Sequence, residues 1–166
     1  MTAVVLSPLN VYSEIDALLK RQELVGGLKA RRGNDSDVES IHQFLTVTAE
    51  ANKDTTTLGN SSVPTICGLS GSLSLSSMQC SQPIPVYIML EKQNENGQWQ
   101  LCALAQWSFG YSTWKGRVMN LNIFQPAAYE ETGMKILTNI ARILSCSRIV
   151  FQVSFDEDCV RLNARL

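Results

Sequence analysis

The sequence predicts one mixed domain of the α+β (or α/β) class. Three observations carry that prediction. A long run of alternating apolar and polar residues lies between two turns in the middle of the chain. A helix-period apolar stripe follows it, and a short, largely apolar strand comes after that. Hairpins joined to a strand–helix–strand crossover make one mixed sheet. A length of 166 residues suits a single core, and 45% hydrophobic residues is a globular composition rather than a disordered one.

Each element has its own signal. Residues 1–26 read as an N-terminal helical extension: Ser13-Glu14-Ile15-Asp16 has capping-box character, Ile15, Leu18 and Leu19 form a stripe, and Gly26-Gly27 ends it. Residues 27–166 form the main domain. Leu28–Arg31 reads as a short strand, and Gly33-Asn34-Asp35 turns the chain. Ser36-Asp37-Val38-Glu39 reads as a capping box that opens a helix to about Glu50, with Val38, Ile41, Leu45 and Thr48 on one face. No charged residue occurs between Thr55 and Leu90, and serines crowd the first part of that stretch. Residues 52–82 therefore read as a Ser/Thr-rich loop insertion, with a partner-binding or phosphorylated segment as the sharper alternative.

Pro85–Leu90 reads as the next strand, and Asn94–Gly97 has hairpin chemistry. In the long strand that follows, Trp99, Leu101, Ala103, Ala105, Trp107 and Phe109 share one face, which assigns those aromatics to the core. Trp114 falls in the turn over Gly110–Gly116 and is the better candidate for an exposed contact. Arg117–Phe124 completes a three-stranded meander. Ala127 to about Ser145 is helical, with Ile136, Leu137, Ile140, Ile143 and Leu144 on one face. Ser147–Phe155 is apolar enough to be buried on both sides. The tail from Asp156 reads as a helix whose first turn is acidic.

Composition excludes several function classes. A net charge of −1 gives no global basic field to hold the chain on nucleic acid or a membrane surface. No apolar run reaches the ~18 residues of a membrane span, and the N-terminus has no signal-peptide pattern, so a cytoplasmic or nuclear location is expected. The five cysteines, Cys67, Cys80, Cys102, Cys146 and Cys159, contain no C-x-x-C pair, and their number is odd. No metal site is expected. His42 is the only imidazole and sits among Ile41, Phe44 and Leu45, which reads as a structural position rather than a catalytic one.

The order of elements resembles the GNAT acetyltransferase superfamily. Tyr111-Ser112-Thr113-Trp114-Lys115-Gly116-Arg117-Val118-Met119-Asn120-Leu121 is similar to the hairpin of the diamine (spermidine/spermine) acetyltransferases. Lys29-Ala30-Arg31-Arg32 followed by Asp35-Ser36-Asp37-Val38 resembles the first strand and helix of the superfamily. Tyr129, Gly133, Ile136-Leu137 and Asn139 resemble the start of its central helix, and Ser145-Cys146-Ser147-Arg148 the approach to the next strand. The resemblance implies that acetyl-CoA lies between strands 119–124 and 149–155, with Leu121, Asn122 and Ile123 beside its pantetheine. It also implies that Gly133, Met134 and Lys135 lie at its pyrophosphate, on the helix N-terminus.

The chain departs from that pattern. Tyr129-Glu130-Glu131-Thr132-Gly133-Met134-Lys135-Ile136 stands where the family carries a glycine-rich Q/R-x-x-G-x-G/A loop. Glu130 takes the place of the leading basic or amide residue, and Lys135 that of the last small one. Carboxylates repel a pyrophosphate, and a side chain at a close-approach position blocks it. The family's acidic tyrosine in the last helix falls on Asn163 or Ala164, and Cys159 nearby reads as a structural thiol. The family's last two strands are expected to be missing, which would leave 149–155 as a sheet edge open to a protein partner or to self-association.

The reading favoured is thus a pseudoenzyme: a protein-binding or scaffold module with acetyl-CoA binding weakened or lost, no catalytic residue and no nucleic-acid or membrane partner. The alternative is a divergent acetyl-CoA-dependent N-acetyltransferase acting on an amine such as a polyamine, with Glu50, Asp54 or Glu91 as proton acceptor. A truncated or degenerating copy with little activity of its own is the third reading.

Overall fold

A computed structural model describes residues 8–22, 24–51, 85–155 and 158–165. The elements are α1 (Pro8–Arg21), β1 (Leu28–Arg32), a 3-10 turn (Asp35–Asp37), α2 (Val38–Ala51), β2 (Val86–Gln93), β3 (Trp99–Ser112), β4 (Gly116–Gln125), a second 3-10 turn (Ala127–Tyr129), α3 (Glu130–Ile143), β5 (Arg148–Phe155) and β6 (Asp158–Arg165). The strands form one six-stranded sheet in sequence order. Every neighbouring pair is antiparallel except β4–β5, which is parallel and joined by α3 as the crossover. The predicted mixed α+β sheet, with its meander and crossover, is the observed one. The Ser/Thr-rich insertion predicted at 52–82 lies outside the described residues.

Helices cover both faces of the sheet. Val11, Ile15 and Leu19 of α1 and Ile136, Leu137, Ile140 and Ala141 of α3 pack on Ile88, Leu90, Ala103, Ala105, Trp107, Met119 and Leu121. On the opposite face, Val38, Ile41 and Leu45 of α2 meet Tyr87, Met89 and Leu104. The consecutive run from Val86 to Leu90 is buried because both faces are covered. The N-terminal helix joins the main core: burying Ile15 and Leu19 contributes about 1.5–3 kcal/mol each.

Three local features differ from expectation. First, the capping box before α2 is Asn34/Asp37 rather than Ser36/Glu39. The Asn34 side chain accepts from the Ser36 N–H, and Asp37 accepts from the Asn34 N–H at 2.9 Å. Asp37 is recruited because its carboxylate also receives Arg31 Nη1 and Nη2, each at 2.7 Å. Second, Leu90 pairs with Ala103 and Glu91 with Leu101, which leaves Cys102 as an extra residue on β3. That bulge reverses the alternation. Leu101 packs on the α2 side and Cys102 on the α1/α3 side, while Trp99 is removed from the core and stays 46% exposed under the Lys29 ammonium. Trp107 remains fully buried, edge-on to Phe109.

Third, the tail is a strand, not a helix. β6 pairs antiparallel with β5 along its whole length, from Arg148↔Arg165 to Phe155↔Asp158. The expected sheet edge at 149–155 is therefore occupied by β6, and the described edges of the sheet are β1 and β6. The sequence explains the outcome. Val160, Leu162 and Ala164 alternate with Arg161, Asn163 and Arg165, a period of two that fits a strand.

Candidate functional site

The parallel pair β4–β5 joins over a short length only. Met119 pairs with Ile149, Asn120 with Val150 and Leu121 with Phe151, and there the pairing stops. Both strands continue past that point. Residues 123–125 remain paired with β3 on one side, and residues 152–155 remain paired with β6 on the other. The two strands thus part into a wedge whose inner edges, 122–125 and 152–155, pair with no strand among the described residues. Strand spacing is about 4.8 Å, so backbone groups along the diverging edges are left for another ladder partner.

A second bulge sits at the start of the wedge. Gln106 pairs with Ile123 and Trp107 with Leu121, so Asn122 is the extra residue on β4 and is exposed. Of the residues the sequence assigned to a pantetheine contact, Leu121 is buried at the last rung, Asn122 is the bulge, and Ile123 packs partly toward α2. The buried ends of these strands hold the wedge in place: Met119 and Ile149 are fully buried in the core shared with α3.

The open end of the wedge lies at the C-terminal end of β4, where Pro126 and the 3-10 turn lead into α3. Tyr129 is the helix N-cap, and its side chain makes no capping bond. The first turn carries Glu130 and Glu131, both exposed. Lys135 donates to Glu131 at 2.7 Å, and that bond holds the Glu131 carboxyl below its usual value. β5 ends at Phe155, paired with Asp158 at the start of β6; residues 156 and 157 lie outside the described residues.

Gly133, Met134 and Lys135, which the resemblance assigns to a pyrophosphate, each have contacts within the chain. Gly133 is buried in the second turn of α3, and a Cβ there would overlap the ring of Phe124. The missing side chain is used by a strand-to-helix contact, so the glycine is explained by packing within the chain. Met134 packs against the core, and Lys135 is committed to Glu131. The first turn of α3 carries carboxylates, whereas an anion at a helix N-terminus is favoured by positive charge.

Of the proton-transfer candidates, Glu91 is held in an ion pair. Glu91 is buried and receives Arg31 Nε at 2.8 Å, beside the Asp37 pair. Glu50 is exposed at the end of α2, and Asp54 lies outside the described residues. Asn163 and Ala164 pair with Val150 and Ile149, at the closed end of the wedge. The His42 carbonyl accepts from the Thr46 hydroxyl within α2. A contact the sequence did not signal is Cys102 with Tyr129. Burial pushes the Cys102 thiol up and the Tyr129 hydroxyl partly offsets it, while Cys102 and burial push the Tyr129 phenol up. Both groups stay protonated at neutral pH, and the thiol also reaches the Leu90 carbonyl at 3.2 Å. The bulge that brings Cys102 to this side is a tertiary register effect without a sequence signature. Among the described residues no cluster of His, Cys, Asp and Glu could hold a metal, and no helix is long and apolar enough to cross a membrane.

The architecture has solved counterparts. A GNAT-family acetyltransferase from Streptococcus pneumoniae superposes with a TM-score of 0.54 at 13% identity, over 78% of this chain and 76% of that one. The fold is the GNAT acetyltransferase fold. A ribosomal-protein-alanine N-acetyltransferase from Brucella melitensis biovar Abortus 2308 gives 0.51 at 13% identity, over 75% of this chain and 78% of that one. An aminoglycoside acetyltransferase from an uncultured soil metagenomic sample, solved with trehalose, gives 0.50 at 12% identity over 82% and 84%. No protein-family model matches the sequence, and no curated protein matches it.

Proposed function

We propose that the chain is a GNAT-fold binding module that does not use acetyl-CoA. The observation that supports this reading is the α3 N-terminus: Glu130 and Glu131 stand exposed in its first turn, and Phe124 occupies the space that Gly133 leaves. An unscreened carboxylate about 5 Å from a phosphate costs roughly 1 kcal/mol even at an effective dielectric constant near 80, and more in a cleft. A cradle of backbone N–H groups would have to outweigh that repulsion, and no glycine-rich turn supplies one here.

A specific observation favours the second reading, an active N-acetyltransferase acting on an amine such as a polyamine: the wedge itself, with its bulge at Asn122, is intact. In that case the chain would supply positioning, with a carboxylate or water taking the amine proton. Thermal melting with acetyl-CoA and a thiol-release assay over a panel of amines separate the two. The first reading expects no shift in melting temperature at millimolar acetyl-CoA and no turnover. A saturable shift together with turnover on any amine establishes the second.

A further inference from the structure

We infer that the β3–β4 hairpin is an arm that docks the chain on a bilayer surface carrying anionic lipids. The inference goes beyond the reading above, and acetyl-CoA binding or its absence does not bear on it. Three observations define the occupant. The first is shape. Pairing between β2 and β3 begins at Val86↔Trp107, so residues 108–112 run past β2 and pair only with β4 among the described residues. That overhang spans about 16 Å at ~3.3 Å per residue. At its tip Ser112 pairs with Gly116, and the Lys115 N–H donates to the Ser112 carbonyl at 3.2 Å. Gly116 takes the positive φ of 77° that closes a three-residue hairpin loop.

The second observation is what the tip exposes. Trp107 is fully buried and Phe109 packs edge-on against it, but Tyr111 is 80% exposed and Trp114 93%. Ile143, in the last turn of α3, is exposed as well. Arg117 fastens the arm to that turn: its Nη1 donates to the Leu144 carbonyl at 2.8 Å, and its guanidinium lies over the Phe109 ring. The aromatic tip and the end of α3 therefore share one end of the molecule.

The third observation is charge. Lys115, Arg117 and Arg142 lie at this end, and none is in an ion pair among the described residues. No Asp or Glu occurs from residue 98 to 129 or from 132 to 155. Glu131, in the first turn of α3, is about 16 Å from Arg142 along the helix. A net charge of −1 gives no global attraction, so these cations act locally, within a Debye length. Trp and Tyr favour the headgroup level of a bilayer, and cations beside them favour anionic lipids. A convex tip offers no groove to grip a peptide or a nucleic-acid strand. A second copy meeting this end would bring the same three cations together.

The test mixes the full chain with vesicles of phosphatidylcholine, alone or with about 30% phosphatidylserine, and follows sedimentation and tryptophan fluorescence. Binding to the anionic vesicles alone is expected, with a blue shift of the emission. It should weaken several-fold between ~50 and ~300 mM salt. K115Q/R142Q should weaken it at least about tenfold, the loss of two cations near a charged surface. W114A should remove the blue shift and weaken binding about fivefold or more. Both variants should keep the native melting temperature, because the three side chains are exposed. W99F, at the far end of β3, should leave binding and shift unchanged. No vesicle binding, equal binding to neutral vesicles, or binding that W114A leaves intact overturns the inference. Binding of an oligothymidine strand or a Glu–Val peptide in place of vesicles overturns it and assigns the arm to that partner. Self-association of the chain that W114A abolishes overturns it too.

Discussion

Adding one methyl group at Gly133 separates a packing glycine from a ligand-binding one. Gly133 has ordinary helical backbone, so Gly133→Ala in an open site would stabilise α3 by about 0.5–1 kcal/mol through helix propensity. Here the new Cβ falls on the Phe124 ring, which must leave its place against the core. Overpacking of this kind costs about 1–3 kcal/mol, so a net loss of about 1–2 kcal/mol is expected in the native background. In a Phe124→Ala background the same substitution meets open space and should recover its stabilising sign. The cycle then yields a coupling of about 2 kcal/mol. Urea unfolding of the four proteins, with the slope checked for constancy, measures it. A neutral or stabilising Gly133→Ala in the native background refutes the packing account, because a glycine reserved for a ligand has no reason to cost stability when replaced.

Other outcomes follow from the same structure. Arg31→Leu leaves the buried carboxylates of Asp37 and Glu91 without their guanidinium and should cost about 3–5 kcal/mol by chemical denaturation. Burial opposes ionisation of Asp37, but Arg31 and the Asn34 N–H outweigh it and hold the carboxyl below its usual value. The folded state therefore gains stability above the ordinary aspartate range and loses it as pH falls through the depressed value, an acid limb that Arg31→Leu should abolish. Burial pushes the Cys146 thiol up to about 11, with Arg117 opposing. Stability should accordingly decline as pH rises from about 9 toward 11, and mass spectrometry should find Cys146 unlabelled by a thiol reagent at pH 8 until the chain unfolds. Arg117→Ala removes the 2.8 Å bond from Nη1 to the Leu144 carbonyl at the end of α3, and a loss of about 1–2 kcal/mol in thermal or urea unfolding is expected.

The sheet was legible where period alone decides. The alternation through β3, the hairpin turn at Asn94–Gly97 and the stripe on α3 all follow from local sequence. What failed depended on register or on competition between two local signals. Trp99 reads as core only if β3 alternates without a break, and the bulge at Cys102 comes from pairing with β2. The tail carried both a helix signal, three acidic residues in a first turn, and a strand signal, the alternation of Val160, Leu162 and Ala164. The pairing offered by β5 favoured the strand. The acidic α3 terminus was visible in the sequence because it is a contiguous departure from a known pattern. The Phe124 contact that accounts for Gly133 was not, since it joins two elements that no spacing rule brings together.

Isothermal titration calorimetry of the full chain with acetyl-CoA addresses the central claim most directly. With Glu130 and Glu131 at the helix end and no glycine-rich turn, no saturable heat is expected up to about 1 mM ligand, a bound of roughly −4 kcal/mol on the binding free energy. A one-to-one isotherm with a dissociation constant in the micromolar range would contradict it.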